Sequence, residues 1–264
     1  MSFSLDHVVI AVSDLDKALE DYSALGFTVL RGGEHPGRGS VNSLIVFQDG
    51  SYFELIAFPR PVEGFWWWEL LQRSGSGFVD YALLPINMSK DLRSARSRGL
   101  VVGDIEEGAR VTPAGERIEW QTARSPTSDV PFLCGDVTPR ALRVPEGDVR
   151  QHMNQIEGIS GVTIAVRDLA ASTGRYSALL PGCIEEMPHP VGDGLLRARF
   201  NCGGLEIELL GLDSGPPGAS DLKQHLERRG EGLLSVTLKS GSRLRPARFD
   251  PVLMHGARLE LQEH

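Results

Sequence analysis

Cysteine is scarce in this chain: Cys134, Cys183 and Cys202 are the only three among 264 residues. They are odd in number and far apart in sequence, which excludes a full disulfide framework and any CxxC zinc or redox motif. Basic charge is also in short supply. Lys and Arg total 27 against 35 Asp and Glu, a net charge of −8, and that balance argues against a nucleic-acid or anionic-membrane surface. No apolar run approaches the roughly 20 residues needed to span a bilayer. The opening stretch, MSFSLDHVVIAVSD, lacks a basic segment and carries acids among its apolar residues, so it does not read as a signal peptide. A reduced, cytoplasmic protein is the expectation. Ser/His/Asp catalysis has no supporting motif, and Gly37 and Gly39 form no phosphate loop, because no helix follows them.

What the chain does contain is a copy of itself. Residues 5–15, LDHVVIAVSDL, return 154 positions later as ISGVTIAVRDL. At the same spacing Tyr22-Ser23-Ala24-Leu25 falls on Tyr176-Ser177-Ala178-Leu179, and Phe53-Glu54-Leu55-Ile56 falls on Ile207-Glu208-Leu209-Leu210. Three matched blocks at one offset indicate an internal duplication.

Each copy reads as a strand, a helix and three strands. Val8, Ile10 and Val12 alternate with His7, Val9 and Ala11, the period of a strand with two distinct faces. Asp14 sits at an N-cap position before Leu15, Leu19, Tyr22 and Leu25 at helical spacing, and Gly26 stops the helix. Strands are predicted near 27–31, 41–48 and 51–58, the last two joined by an Asp49-Gly50 turn. A weaker unit follows, with a strand at 77–85, a polar helix near 89–99, and strands near 101–106, 117–123 and 130–135. The last unit begins at Gly232 and ends in ARLELQ; its middle, SGSRLRPARFDP, has lost helical character. The reading is α+β: tandem βαβββ modules paired into two cupped mixed β-sheets with helices outside. Residues 1–138 form one pair of modules, 139–156 a linker, and 157–264 a second pair whose last member is degenerate.

Several stretches resemble the glyoxalase-like domain family of the vicinal oxygen chelate superfamily, the glyoxalase, bleomycin-resistance and extradiol dioxygenase group. They are LDHVVIAVSDLDKALEDYSALGF, HPGRGSVNSLIVFQDGSYFELIAF, FWWWELLQRSGSG, GERIEW ending at Trp120, and His152-Met153-Asn154. The resemblance implies a site inside each cup, with metal ligands drawn from the first and last strand of each module. In the first module those slots hold His7 and Glu54. Strand alternation independently turns both toward the cup, since Val8, Ile10, Val12, Phe53 and Leu55 are the bulkier set. Imidazole and carboxylate suit a divalent ion such as Zn, Fe, Mn or Ni. In the second module Asp80 takes the histidine slot, and PFLCGD offers no glutamate at its end. The expected metal ligands are therefore His7, Glu54 and Asp80, with Glu54 or Asp80 moving a proton. No two-His-one-carboxylate set is evident. In the other half Gly161 and Ser235 replace the histidine while Glu208 and Glu260 persist, so that half reads as structural.

Around the cup, His35, Arg38, Trp120 and Phe132 are candidates for substrate binding. Each has a plainer reading: a loop histidine, a surface arginine and two core aromatics. A lone strand histidine is ordinarily a hydrogen-bonded core residue, and Glu54 and Glu208 could be duplicated structural acids. Trp66, Trp67 and Trp68 cannot all face one way on a helix, and an exposed remainder would mark a homodimer contact. His152 and Asn154 should stitch the halves together. The expected function is a metal-dependent lyase or isomerase acting on a small molecule with adjacent oxygens. The alternatives are a metal-free protein that sequesters a small ligand, and a dioxygenase.

Overall fold

The computed structural model describes residues 3–35, 37–112, 114–213, 220–241, 249 and 252–262. The first module runs β1 (Ser4–Ala11), α1 (Leu15–Ala24), β2 (Leu30–His35), β3 (Ser40–Val46) and β4 (Tyr52–Ala57). Asp14 caps α1 by accepting from the Lys17 N–H at 3.0 Å, and Gly26, at φ 85°, takes the left-handed conformation that ends it. After the bridging helix α2 (Trp66–Ser74) come β5 (Gly77–Leu84), α3 (Met88–Ser97), β6 (Glu106–Val111), β7 (Arg117–Ala123) and β8 (Phe132–Asp136). The linker carries a short helix, α4 (Arg140–Arg143). The third module is β9 (Ile156–Ala165), α5 (Leu169–Leu179), β10 (Ile184–Gly192), β11 (Leu195–Cys202) and β12 (Leu205–Leu212). Helix α6 (Ser220–Arg228), β13 (Gly232–Ser240) and β14 (Leu259–Leu261) complete the described chain. The degenerate middle SGSRLRPARFDP lies almost wholly outside the described residues.

Two strands start later than their sequences suggest. Residues 27–29 are drawn to the linker instead of the sheet: the Thr28 N–H donates to His152 Nδ1 and the Thr28 hydroxyl to the Gln151 carbonyl. Before β6, the Arg96 guanidinium takes the carbonyls of Val102 and Gly103, so these residues run as a tethered loop.

The eight strands of the first two modules close into a barrel in the order β1-β4-β3-β2-β6-β7-β8-β5. The C-terminal half makes an open sheet, β10-β11-β12-β9-β13-β14. The duplication is preserved in strand register. β1 runs parallel to β4 with Val9 opposite Glu54, and β9 runs parallel to β12 with Thr163 opposite Glu208, the same partners 154 positions on.

The two faces of β1 pack as their side chains dictate. Val8 and Ile10 join Tyr22, Phe53 and Leu55 in an apolar cluster that continues into the second half through Ile164, Tyr176 and Val236. Val9 and Ala11 lie in a separate cluster inside the barrel with Ile118, Trp120, Phe132 and the α2 residues Trp67, Leu70 and Leu71. Trp67 is buried, whereas Trp66 and Trp68 are half-buried. The duplicated tyrosines tie the halves reciprocally. The Tyr22 hydroxyl donates to the Met254 carbonyl at 3.1 Å, and the Tyr176 hydroxyl to the Asp129 carbonyl at 2.7 Å. Cys183 and Cys202, distant in sequence, are neighbouring thiols with sulfurs 2.8 Å apart. No helix among the described residues is long and apolar enough to cross a membrane.

Candidate functional site

His7 and Glu54 project into the barrel from adjacent strands, and both are buried. The His7 ring stacks on Tyr52, with centroids 4.7 Å apart and planes 15° from parallel, and meets the edge of Phe132. Behind it Asp6 is fully buried, its Oδ2 2.6 Å from His7 Nδ1. Arg143 donates twice to Asp6, at 2.7 and 2.9 Å, and Arg140 once, at 2.6 Å. Burial pushes the Asp6 carboxyl up, but the Arg143 charge and the His7 hydrogen bond outweigh it and hold the group well below its usual range. An ionised carboxylate only accepts hydrogen bonds, so His7 donates from Nδ1 and presents Nε2 to the cavity. A carboxylate that fixes a histidine in this way is what orients a metal-ligating imidazole.

Glu54 stands between two imidazoles. Its Oε2 lies 3.6 Å from His7 Nε2 and its Oε1 3.6 Å from His35 Nε2. The Asn42 amide, from β3, donates to Glu54 Oε1 at 2.6 Å. Burial pushes Glu54 up, and His35, His7, Asn42 and Arg110 together overcome this and hold its carboxyl below the usual value. His35 is not a loop residue: it is the last residue of β2, buried, with Nδ1 2.9 Å from the Ser40 hydroxyl. Burial lowers its imidazole. Both 3.6 Å separations exceed hydrogen-bonding distance, so each of two imidazole nitrogens faces its own Glu54 oxygen across a gap. Around a tetrahedral ion with bonds of about 2.0–2.1 Å, neighbouring ligand atoms stand about 3.4 Å apart. Each imidazole nitrogen stands at nearly that spacing from its own Glu54 oxygen. His7, His35 and Glu54 do not, however, offer three ligand atoms all within 4.8 Å of one another, so an ion shared by the three needs the side chains to draw together.

Asp80 does not join them. Its Oδ1 accepts from the Tyr81 N–H, and its Oδ2 accepts from Arg124 at 2.5 Å and from the Trp67 indole at 3.2 Å. Burial raises its carboxyl against the pull of Arg124. Both its oxygens are thus committed to hydrogen bonds, one of them in an ion pair with Arg124. Among the described residues, the group whose ligand-type atoms do all lie within 4.8 Å of one another is Asp6, His7 and Cys134. That group is the weaker metal candidate on chemical grounds. Two guanidiniums already neutralise Asp6, His7 Nδ1 is spent on it, and burial pushes the Cys134 thiol far up.

The cavity holds about 560 Å³ of unfilled space, its open mouth included, and Arg38, Trp120 and Phe132 line it with His7, His35 and Glu54. Trp120 meets His35 edge-on, and Phe132 lies under the Arg124 guanidinium at 3.9 Å. Sequence reasoning missed Asp6, Asn42, Arg110, Arg124 and Arg143. Asn42 could have been found from the period of β3, which turns it to the same face as Leu44, opposite Glu54. Among its described residues the second sheet repeats the glutamate without the histidine. Gly161 stands in the histidine position, and Glu208 lies 3.7 Å from Arg197.

Comparison with known proteins agrees with this architecture. A glyoxalase-like domain model matches residues 5–180, which cover the first two modules, the linker, and the first strand and helix of the third. No curated protein sequence matches the chain significantly. Among solved structures, a hypothetical protein from Staphylococcus aureus superposes with a TM-score of 0.72 at 15% identity, over 99% of this chain and 100% of that one. A mutant 4-hydroxymandelate synthase from Streptomyces coelicolor gives 0.64 at 14% identity, over 95% and 78%. A xylose isomerase-like TIM barrel/4-hydroxyphenylpyruvate dioxygenase fusion protein gives 0.57 at 14% identity, with 92% of this chain covering 37% of the fusion. By its modules, their register and the family match, the chain belongs to the glyoxalase-like domain family of the vicinal oxygen chelate superfamily.

Proposed function

We propose that the protein is a divalent-metal enzyme of the lyase or isomerase type, acting in the barrel on a small substrate with adjacent oxygens. The observation that carries this reading is the approach of His7 Nε2 and His35 Nε2 to the two oxygens of Glu54, each at 3.6 Å. His7, His35 and Glu54 would hold the ion. When bound, it supplies positive charge against which negative charge developing on a substrate oxygen is stabilised. The other groups act on orientation and protons. Asp6 fixes the His7 ring, Asn42 aims the Glu54 carboxylate, and Trp120 and Phe132 exclude water from the carbon frame of the substrate. Glu54, held ionised, accepts and returns the proton in the isomerisation. Asp80 is left out of that role because its oxygens are engaged.

A dioxygenase is the second reading. Two histidines and one carboxylate are the ligand set of non-haem iron oxygenases, and the nearness of His35 to Glu54 supports this reading by adding a second histidine beside His7. Two structural neighbours bear the names of a synthase and a dioxygenase; at 14% identity their likeness supports the fold alone.

The test is metal analysis of protein purified without chelator, in the wild type and in His7→Ala. Near-stoichiometric metal that is lost in the variant is the expected result. No retained metal after supplementation with Zn, Fe, Mn or Ni in turn overturns the enzyme reading and leaves ligand sequestration. Oxygen consumption by the iron-loaded protein would favour the dioxygenase.

A further inference from the structure

Four guanidiniums, those of Arg38, Arg110, Arg124 and Arg143, line the cup, and the charges that answer them are unevenly distributed. Arg143 is paired with Asp6 and Asp136, and Arg124 with Asp80. Arg110 is buried, donates to the carbonyls of Gly32 and Arg143, and has the charge of Glu54 nearby. Arg38 is different: its side chain has no hydrogen bond and no ion pair among the described residues. Its loop is shaped to present it, since Gly37 and Gly39 take φ values of 78° and 63° that favour glycine. A second donor in the same cavity is also unsatisfied. Arg124 Nη1 is spent on Asp80, its face rests on Phe132, and its Nη2 is fully buried with no partner.

A buried guanidinium N–H without an acceptor is costly, and an oxyanion relieves that cost through charge-assisted bonds. We propose that the cup binds a substrate bearing a carboxylate, seated between Arg38 and the unpaired Nη2 edge of Arg124. One cation, Arg38, is left without a contacting carboxylate, and the charges of Glu106 and Glu54 already act on it, so the balance favours a monoanion over a phosphate dianion. The apolar body of the substrate lies against Trp120 and Phe132. That its far end reaches His7, His35 and Glu54 rests on the metal-enzyme reading; the anion seat itself needs no metal.

The seat can be tested apart from any activity by titrating the full-length protein calorimetrically in the presence of chelator. Benzoate, benzamide and phenyl phosphate serve as probes. Benzoate should bind, benzamide of the same shape should not, and phenyl phosphate should bind more weakly than benzoate. Arg38→Gln should weaken benzoate binding by about tenfold or more, the worth of one charge-assisted hydrogen bond. Its melting temperature should not change, because the Arg38 side chain has no hydrogen bond or ion pair among the described residues, and Arg38→Lys should restore part of the binding. Failure of benzoate to bind, equal binding of benzamide, or indifference to Arg38→Gln overturns the proposal. Tighter phenyl phosphate overturns the assignment to a carboxylate. Because chelator is present, these outcomes are independent of whether the protein retains a metal.

Discussion

His35 Nε2 and Glu54 Oε1 face each other at 3.6 Å inside the barrel, close enough to share an ion and too far apart to hydrogen-bond. The same distance separates Glu54 Oε2 from His7 Nε2. If the gap is a metal site, His35 is a ligand in its own right. His35→Ala should then weaken divalent-ion binding by more than about 100-fold, beyond the 10–100-fold cost of losing an outer partner. Cobalt absorption bands read this directly: a four- or five-coordinate spectrum in the wild type should vanish in the variant. An unchanged cobalt spectrum would remove His35 from the site.

Asp6 tests a different part of the same arrangement. It is fully buried beneath His7 and takes three hydrogen bonds from Arg140 and Arg143. Asp6→Ala would strand the Arg143 charge, which among the described residues retains only Asp136 as a carboxylate partner. Removing one side of a buried ion pair costs about 3–5 kcal/mol. Denaturant unfolding should show a loss at the lower end of that range, because Asp136 remains. A loss within about 0.5 kcal/mol, the level of an ordinary surface change, would mean the network carries little stability.

Much of this arrangement could be read in the sequence, and the remainder could not for identifiable reasons. The period-two pattern of β1 and β4 put His7 and Glu54 on one face, and the duplication read from the 154-residue offset reappears as the same strand register in both halves. His35 was obscured because Pro36 and two glycines make HPGRG look like a loop, although β2 runs through His35 before the turn. Asp80 occupied a plausible ligand slot, but the arginine that claims it lies 44 residues on, beyond any local pattern. The Asp6–Arg143 contact spans 137 residues and comes from the linker. A polar, proline-containing stretch gives no sign that it supports the barrel floor.

Tyr22 and Tyr176 occupy equivalent positions in the duplicated helices, and each bonds a carbonyl of the opposite half. Tyr22→Phe should cost about 1 kcal/mol, the usual worth of one buried hydrogen bond. Tyr176→Phe should cost more, because the Tyr176 hydroxyl also bonds that of the buried Tyr81 at 2.5 Å and the variant leaves that hydroxyl without its partner. Because the outer apolar cluster is continuous through both halves, unfolding should remain a single transition in both variants. A fragment ending near residue 150 exposes its side of that cluster and should be poorly soluble. A well-behaved, cooperatively folding fragment would show the halves to be independent.

His225 sets a pH dependence that can be assigned in advance. It lies on α6 and lines a pocket with Arg229 and Arg258. Burial lowers its pKa from 6.5 to about 4, with those two charges acting in the same direction. In the native state the ring therefore stays neutral where the unfolded chain would protonate it. The stabilisation from keeping it neutral is fully present above pH 6.5 and is lost as pH falls toward 4, because the unfolded state binds the extra proton. His35 and His152, also lowered by burial, act in the same sense, so His225→Gln should flatten this slope in part. The measurement is unfolding free energy by denaturant at a series of pH values between 4 and 7 in both proteins. Identical slopes would show that His225 is protonated in the native state, with Asp221, which lines the same pocket, as the acid to examine next.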